Sequence, residues 1–204
     1  MKLFFYFLFL LSSISSFSNE KIKEEIIDDI VSKISSYKNI SINFDLLYEN
    51  TSLNIKTNKK GKLVLENDKF SIDLDEQIII NNGDIQWTYL KDINEVQITN
   101  NDITTGISNL SDLFKISKND NKILLLKDEI NFYLIELIPK TIKSFIKIQI
   151  KVQKQDKKIS EIKVFDKEGG KFIYSISKLK YDLEINSFYF DTSKFPGIEI
   201  IDLR

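Results

Sequence analysis

The sequence predicts a mainly β fold with a few helices, its strands forming an antiparallel meander, sandwich or barrel. Three observations point there. From residue 40 onward most of the chain alternates apolar and polar residues with period two. Clusters of turn-forming residues recur between the alternating runs, at a spacing of about 8–12 residues typical of all-β folds. Two stretches, residues 20–37 and 101–121, show helical period instead.

The first residues read as an address rather than as structure. Met1-Lys2 precedes the apolar run Leu3 to Leu11, and a Ser-rich stretch follows. This is the pattern of a secretory signal peptide, and cleavage after Ser18 suits the small residues Ser16 and Ser18. The apolar run is shorter than the roughly 20 residues a spanning helix needs. The expected domains are a signal peptide over 1–18 and a single domain over 19–204.

Residues 20–37 carry Ile22, Ile26, Ile27, Ile30, Val31 and Ile34 on one stripe, with Lys and acidic residues opposite. Asn19 is placed to cap this helix, and Glu24 and Glu25 lie near its positive end. The strands follow. Ile42-Phe44-Leu46-Tyr48, Phe70-Ile72-Leu74, Ile85-Trp87-Tyr89, Ile146-Ile148-Ile150-Val152 and Phe172-Tyr174-Ile176 alternate with mostly polar neighbours. Leu63 and Leu65 follow Gly61, and the pairs Val96-Ile98 and Ile162-Val164 continue the pattern. Turns are expected at Asn58 to Gly61, Glu66 to Lys69, Asn81 to Gly83, Asp156 to Lys158 and Asp166 to Gly170. Ile103, Ile107, Leu110, Leu113 and Phe114 mark a second amphipathic helix between about six earlier and five later strands. The whole chain holds 6 Gly and 2 Pro, so no Gly/Pro-rich linker divides it. A sheet with one apolar face and two amphipathic helices can be joined by curling the sheet and covering its open side.

Composition removes several chemistries. With Cys 0 and His 0, disulfides, a thiolate nucleophile, zinc–thiolate sites and a Ser-His-Asp triad are impossible. The formal charge of −1 lacks the basic excess of a nucleic-acid binder. Arg204 is the lone arginine, so the interior of the chain has no forked guanidinium. Gly169-Gly170 lacks the G-K-[ST] of a phosphate loop, and Asp73, Asp75 and Glu76 read as solvated. No enzyme activity, cofactor or metal is expected.

Several segments resemble a known family in order along the chain. Gly83-Asp-Ile-Gln-Trp87-Thr-Tyr89 resembles the G-x-x-x-W-x-Y strand of the periplasmic outer-membrane lipoprotein carriers, the LolA family. Gly61-Lys-Leu63-Val-Leu65 with Lys69-Phe70 is similar to its G-x-L strand and the aromatic strand after it. Leu137-Ile-Pro139-Lys140 resembles L-x-P-K, and Asp166-Lys-Glu-Gly169 resembles D-x-x-G. Phe188-Tyr-Phe190-Asp191, Pro196-Gly197-Ile198 and Ile200-Ile201-Asp202 resemble the closing F-x-F-D, P-G-V and V-I-D. The chain departs from the pattern where the family has Arg-Pro, whose Arg latches the lid. Here Glu66-Asn67-Asp68-Lys69 stands, one residue shorter, leaving Asn67 or Lys69 as candidate substitutes.

The resemblance implies an unclosed antiparallel half-barrel of about eleven strands with an α-helical lid over an apolar cavity. It implies a periplasmic chaperone for acylated lipoproteins. Its partners would be an inner-membrane ABC-type release complex and an outer-membrane receptor or the outer membrane itself, with no nucleic acid. A monomer is expected. The expected cavity wall is Phe44, Leu46, Leu63, Leu65, Phe70, Ile72, Trp87, Tyr89, Ile148, Ile150, Phe172 and Tyr174. The expected lid residues are Ile26, Ile30, Ile107, Leu110 and Phe114. A second reading keeps the same fold as a periplasmic lipid-binding or sensing domain for another lipid or a protein partner. Burying one sixteen-carbon chain contributes on the order of 12 kcal/mol gross at about 0.8 kcal/mol per methylene. Three would exceed the practical ceiling of about 18–21 kcal/mol. A carrier must therefore lose part of that gain by opening a lid.

Overall fold

A computed structural model of the chain describes residues 21, 23–100, 118–143, 145–185 and 187–204. The expected signal peptide, the Asn19 cap, Ile22 and residues 101–117 of the expected second helix, with Ile107, Leu110 and Phe114, lie outside the described residues, while 118–120 form a turn before a strand that starts at Asn121. Residues 23–35 form helix α1. Its stripe is buried as its period requires: Ile27, Ile30 and Ile34 are buried, while Ile26 and Val31 are partly so. The Ser36 hydroxyl donates to the Lys33 carbonyl at 2.7 Å as the helix ends.

Among the described residues twelve strands then form one sheet. They are β1 (Ile40–Asn50), β2 (Ile55–Glu66), β3 (Lys69–Leu74), β4 (Gln77–Asn81), β5 (Ile85–Leu90) and β6 (Glu95–Asn100). After the undescribed stretch come β7 (Asn121–Asp128), β8 (Phe132–Pro139), β9 (Phe145–Gln153), β10 (Ile159–Asp166), β11 (Gly170–Tyr181) and β12 (Glu199–Asp202). The order across the sheet is β12-β6-β5-β4-β3-β2-β1-β11-β10-β9-β8-β7. The sheet is unclosed, with β7 and β12 at its two ends. Two antiparallel meanders meet where β1 pairs with β11. The strand beyond the expected eleven is β12, which pairs in parallel with β6.

Two local expectations are corrected. Asn58 to Gly61 is not a turn but the middle of β2, and the chain reverses earlier, where Asn54 takes φ 53. Gly61 is there because Phe44 lies across it: a Cβ would sit 2.5 Å from the Phe44 ring and 2.8 Å from Leu74. Ile146 does not share a face with Ile148. The register slips between Phe165, opposite Lys147, and Asp166, opposite Phe145, so Ile146 is skipped and left exposed. The turns at Glu66 to Lys69, Asn81 to Gly83, Asp156 to Lys158 and Asp166 to Gly170 are present. Asn67, Gly83, Lys157 and Gly169 take the positive φ angles.

Directly paired residues share a face of the sheet. The ladder Ile42–Leu63–Ile72–Ile79 therefore marks one face, and Leu46–Tyr174–Ile162–Ile150–Ile135 continues it on the other half. Ile30 and Ile34 of α1 pack into this cluster, so it is the inner face. At β4 the apolar side changes. Ile79 points inward opposite Thr88, while Ile80 pairs with Trp87 and Ile78 with Tyr89 on the outer face. Trp87, Tyr89, Val96 and Phe190 form a second buried cluster there, with Phe195 and Ile198 packed against it. The C-terminal segment thus covers the outer side of β4–β6. Phe195 stacks on Phe190 at 4.8 Å between ring centroids and lies 4.5 Å from Tyr89. Asn94 pins this cover by accepting from the Tyr89 hydroxyl at 3.0 Å and donating to the Pro196 carbonyl at 3.2 Å.

On the outer face of β8, Glu136 is buried and accepts from Gln149 at 2.9 Å and from Lys147 at 2.9 Å. Burial raises its pKa, but the Gln149 and Lys147 bonds outweigh that and hold it below the ordinary carboxylate value. A depressed folded pKa gives stability that is complete above the unfolded value of about 4.3 and lost as pH falls through the lower folded value. Urea unfolding followed downward from neutral pH should show a shallower acid loss for Glu136→Gln than for the native chain. Gly61→Ala should cost about 1–3 kcal/mol in the same assay, because the core cannot absorb a methyl against Phe44. Shortening that neighbour with Phe44→Leu should recover part of the loss. The edge of Tyr189 meets the Trp87 indole at 5.3 Å, so the tryptophan emission should shift red in Tyr189→Ala and stay put in Ile30→Ala, on the other face.

Candidate functional site

The inner face gathers ten of the twelve expected wall residues. Phe44, Leu46, Leu63, Leu65, Phe70, Ile72, Ile148, Ile150 and Tyr174 are buried there, and Phe172 is partly buried beside them. The edge of Tyr174 meets the Phe44 ring at 5.5 Å, and Phe172 lies 4.6 Å from Tyr48. Burial pushes the Tyr174 hydroxyl well above its ordinary pKa, so this group stays neutral within the wall. Trp87 and Tyr89 do not belong to the wall. Their register with Ile80 and Ile78 puts them on the outer face, under the C-terminal segment. Of the expected lid residues, Ile30 is fully buried against the wall and Ile26 is partly buried against it.

Some members of the inner face were not singled out as candidates. Ile42, Ile79, Ile135, Leu137 and Ile162 are all buried in the same cluster. For Ile135 and Leu137 the signal was present, since Tyr133, Ile135 and Leu137 alternate along β8. For Ile79 it was not, because Ile78, Ile79 and Ile80 give no alternation.

The two halves of α1 sit over different surroundings. Under its second half, Ile30 is sealed among side chains such as Ile42, Leu63 and Ile72, all fully buried. Beside its first half a cavity of about 720 Å³ opens between α1 and the end strand β7. Ile27 of α1 and Ile123, Leu124 and Leu125 of β7 supply its apolar lining. Lys23, Glu24, Lys118, Lys122 and Lys140 supply its polar lining. That volume lies in the range of about 300–1,000 Å³ common for small-molecule sites.

Weak contacts tie α1 down. Lys118 pairs with Asp28 and, at 3.9 Å, with Glu24. Lys157, at a hairpin tip of the sheet, pairs with Asp29. These groups are all substantially exposed, so each pair contributes at most about 1 kcal/mol. Beyond the helix end the hold is firmer. Tyr37 stacks on Tyr181 with centroids 3.5 Å apart. Asn39, almost completely buried, donates to Glu66 at 3.1 Å and to the Leu183 carbonyl at 2.8 Å, and accepts from the Leu183 N–H at 2.8 Å. Glu66 opens the segment that replaces the family's Arg-Pro. The contact to the helix–strand junction there runs through Glu66, while Asn67 shapes the turn with φ 53.

The described residues hold no group of three or more His, Cys, Asp or Glu placed to hold a metal ion. No described helix is long and apolar enough to cross a membrane. The described residues thus present an apolar inner face, a helix packed over it and an open cavity at one end.

A search of curated proteins returned no match. Among solved structures, an uncharacterized conserved protein from Thermus thermophilus aligns with TM-score 0.51 at 10% identity, over 88% of this chain and 98% of its own. It shares the fold. A LolA superfamily protein from Nitrosomonas europaea aligns with TM-score 0.45 at 14% identity, over 80% of this chain and 97% of its own. A DUF1329 family protein from Desulfovibrio piger aligns with TM-score 0.46 at 14% identity, over 82% of this chain and 96% of its own. The family described as outer membrane lipoprotein carrier protein LolA matches residues 35–191. That match takes in β1 through β11 and only the start of the C-terminal cover, and the chain belongs to the LolA family of outer membrane lipoprotein carrier proteins.

Proposed function

We propose that the protein is a periplasmic carrier for acylated lipoproteins, exported by a cleaved signal peptide. It receives cargo from an inner-membrane release complex and passes it to the outer membrane or a receptor there. One observation carries this reading: the apolar inner face is roofed by a helix whose first half borders an open cavity and is tied by exposed ion pairs. The wall residues Phe44, Leu46, Leu63, Leu65, Phe70, Ile72, Ile148, Ile150, Phe172 and Tyr174 shield the acyl chains once α1 lifts.

The energetics favour reversible holding. Lifting α1 exposes Ile27, Ile30 and Ile34, at about 1.5–3 kcal/mol each, or roughly 5–9 kcal/mol in all. One acyl chain gains on the order of 12 kcal/mol on burial. The difference leaves a grip that a competing membrane can overcome. The helix need not detach, because Asn39 and the Tyr37–Tyr181 stack hold its far end as a pivot.

The test is capture from spheroplasts with the purified protein as bait. Acylated lipoproteins should be retained and the same proteins without lipid should not. Ile30→Asp should abolish retention while circular dichroism shows the sheet intact. Capture indifferent to acylation would refute the reading. Trp87, buried on the outer face, should keep its emission wavelength when a fluorescent acyl probe is taken up.

A further inference from the structure

The cavity beside α1 carries a charge pattern that an apolar cargo does not call for. Four lysines line it, Lys23, Lys118, Lys122 and Lys140, in a chain whose formal charge is −1. The nearby carboxylates are Glu24 and Asp28, and both pair with Lys118. Lys140 is fixed at the rim, its Nζ donating to the Lys118 carbonyl at 2.7 Å. Among the described residues, Lys23 and Lys122 have no ion-pair partner, and both are exposed at the opening. Beneath these cations lie Ile27 and Ile123, and Ile123 packs against the inner-face cluster.

A greasy floor that runs toward the wall, beneath a rim of cations, matches one kind of molecule: an acyl chain with an anionic head. We propose that this mouth binds an anionic phospholipid, its phosphate held by Lys23, Lys122 and Lys140 and its chain laid along Ile27 and Ile123. This rests on the lipid-binding reading above and adds a class of ligand to it, since the glyceryl end of an acylated cysteine is uncharged. Lysine serves as a point charge here and needs no forked geometry. Two unpaired lysines beside a lipid phosphate favour the anionic head by about tenfold or more. Exposed charges are screened within about 8 Å at physiological ionic strength, so the preference shrinks as salt rises.

The experiment is displacement of a fluorescent acyl probe from the purified protein by lysophosphatidylglycerol, lysophosphatidylcholine and monoacylglycerol of one chain length, with glycerol 3-phosphate as a head-only arm. Lysophosphatidylglycerol should displace the probe at about one tenth the concentration of the other two lipids, and glycerol 3-phosphate should not compete. The ratio between heads should collapse toward one in Lys23→Glu/Lys122→Glu. It should survive in Lys62→Glu/Lys178→Glu, which makes the same charge change on both sides of Asn43, away from the mouth. Equal displacement by all three lipids overturns the anionic-head site and leaves the lipid reading standing. Loss of the preference in the control variant also overturns it, by showing a net-charge effect. Competition by glycerol 3-phosphate alone would mean a free-anion site instead. Failure of the probe to bind at all would remove the lipid reading and this site together.

Discussion

Apolar area in the sheet changes sides at β4, and the placement of both covers follows from that change. On β1 to β3 and β8 to β11 the buried apolar side chains point toward α1. On β5 and β6 they point the other way, and Thr88 and Gln97 take the inner positions. Neither face can be left to water where it is apolar, so the molecule needs two covers. The helix before β1 serves one, and the segment after β11 serves the other. Ile78, Ile79 and Ile80 make the change possible, because a strand apolar on both sides can contribute to two cores.

The same feature separates what the sequence disclosed from what it concealed. Period-two runs located most strands, and the stripe from Ile26 to Ile34 located α1 and its buried side. Alternation states that Trp87 and Tyr89 share a face, but not which one. That depends on register across several strands, and the uninterrupted isoleucines of β4 hide it. Ile146 was misplaced for a related reason: a single skipped residue in β9 reverses the alternation. Gly61 looked like a turn because glycine often marks one, whereas the need here is for room beneath Phe44. β12 could not be found from pattern, since the adjacent Ile200 and Ile201 give no alternation and its partner β6 lies far back in sequence.

The opening at β7 is written in residues that carry little signal in a row of letters. Lysines at 23, 118, 122 and 140 look like ordinary solvated positions until the fold brings α1 beside the end strand. The lid restraint is likewise dispersed. Where the family resemblance leads one to expect a single arginine latch, this chain uses ion pairs from Asp28 and Asp29, a ring stack at Tyr37 and the amide of Asn39. Exposed ion pairs thus hold the helix along its length, and a buried amide holds the chain just beyond its end.

The parallel pairing of β12 with β6 bears on the order in which the molecule can assemble. Residues 199–202 are synthesised long after β6, and until they arrive the backbone groups of β6 along that side have no strand beside them. The aromatic roof from Phe190 to Ile198 must also wait for the same stretch of chain. The first meander can zip up early from neighbouring hairpins, yet one margin of it stays sticky through most of biogenesis. A nascent chain of this kind gains from being kept extended until that later segment is delivered.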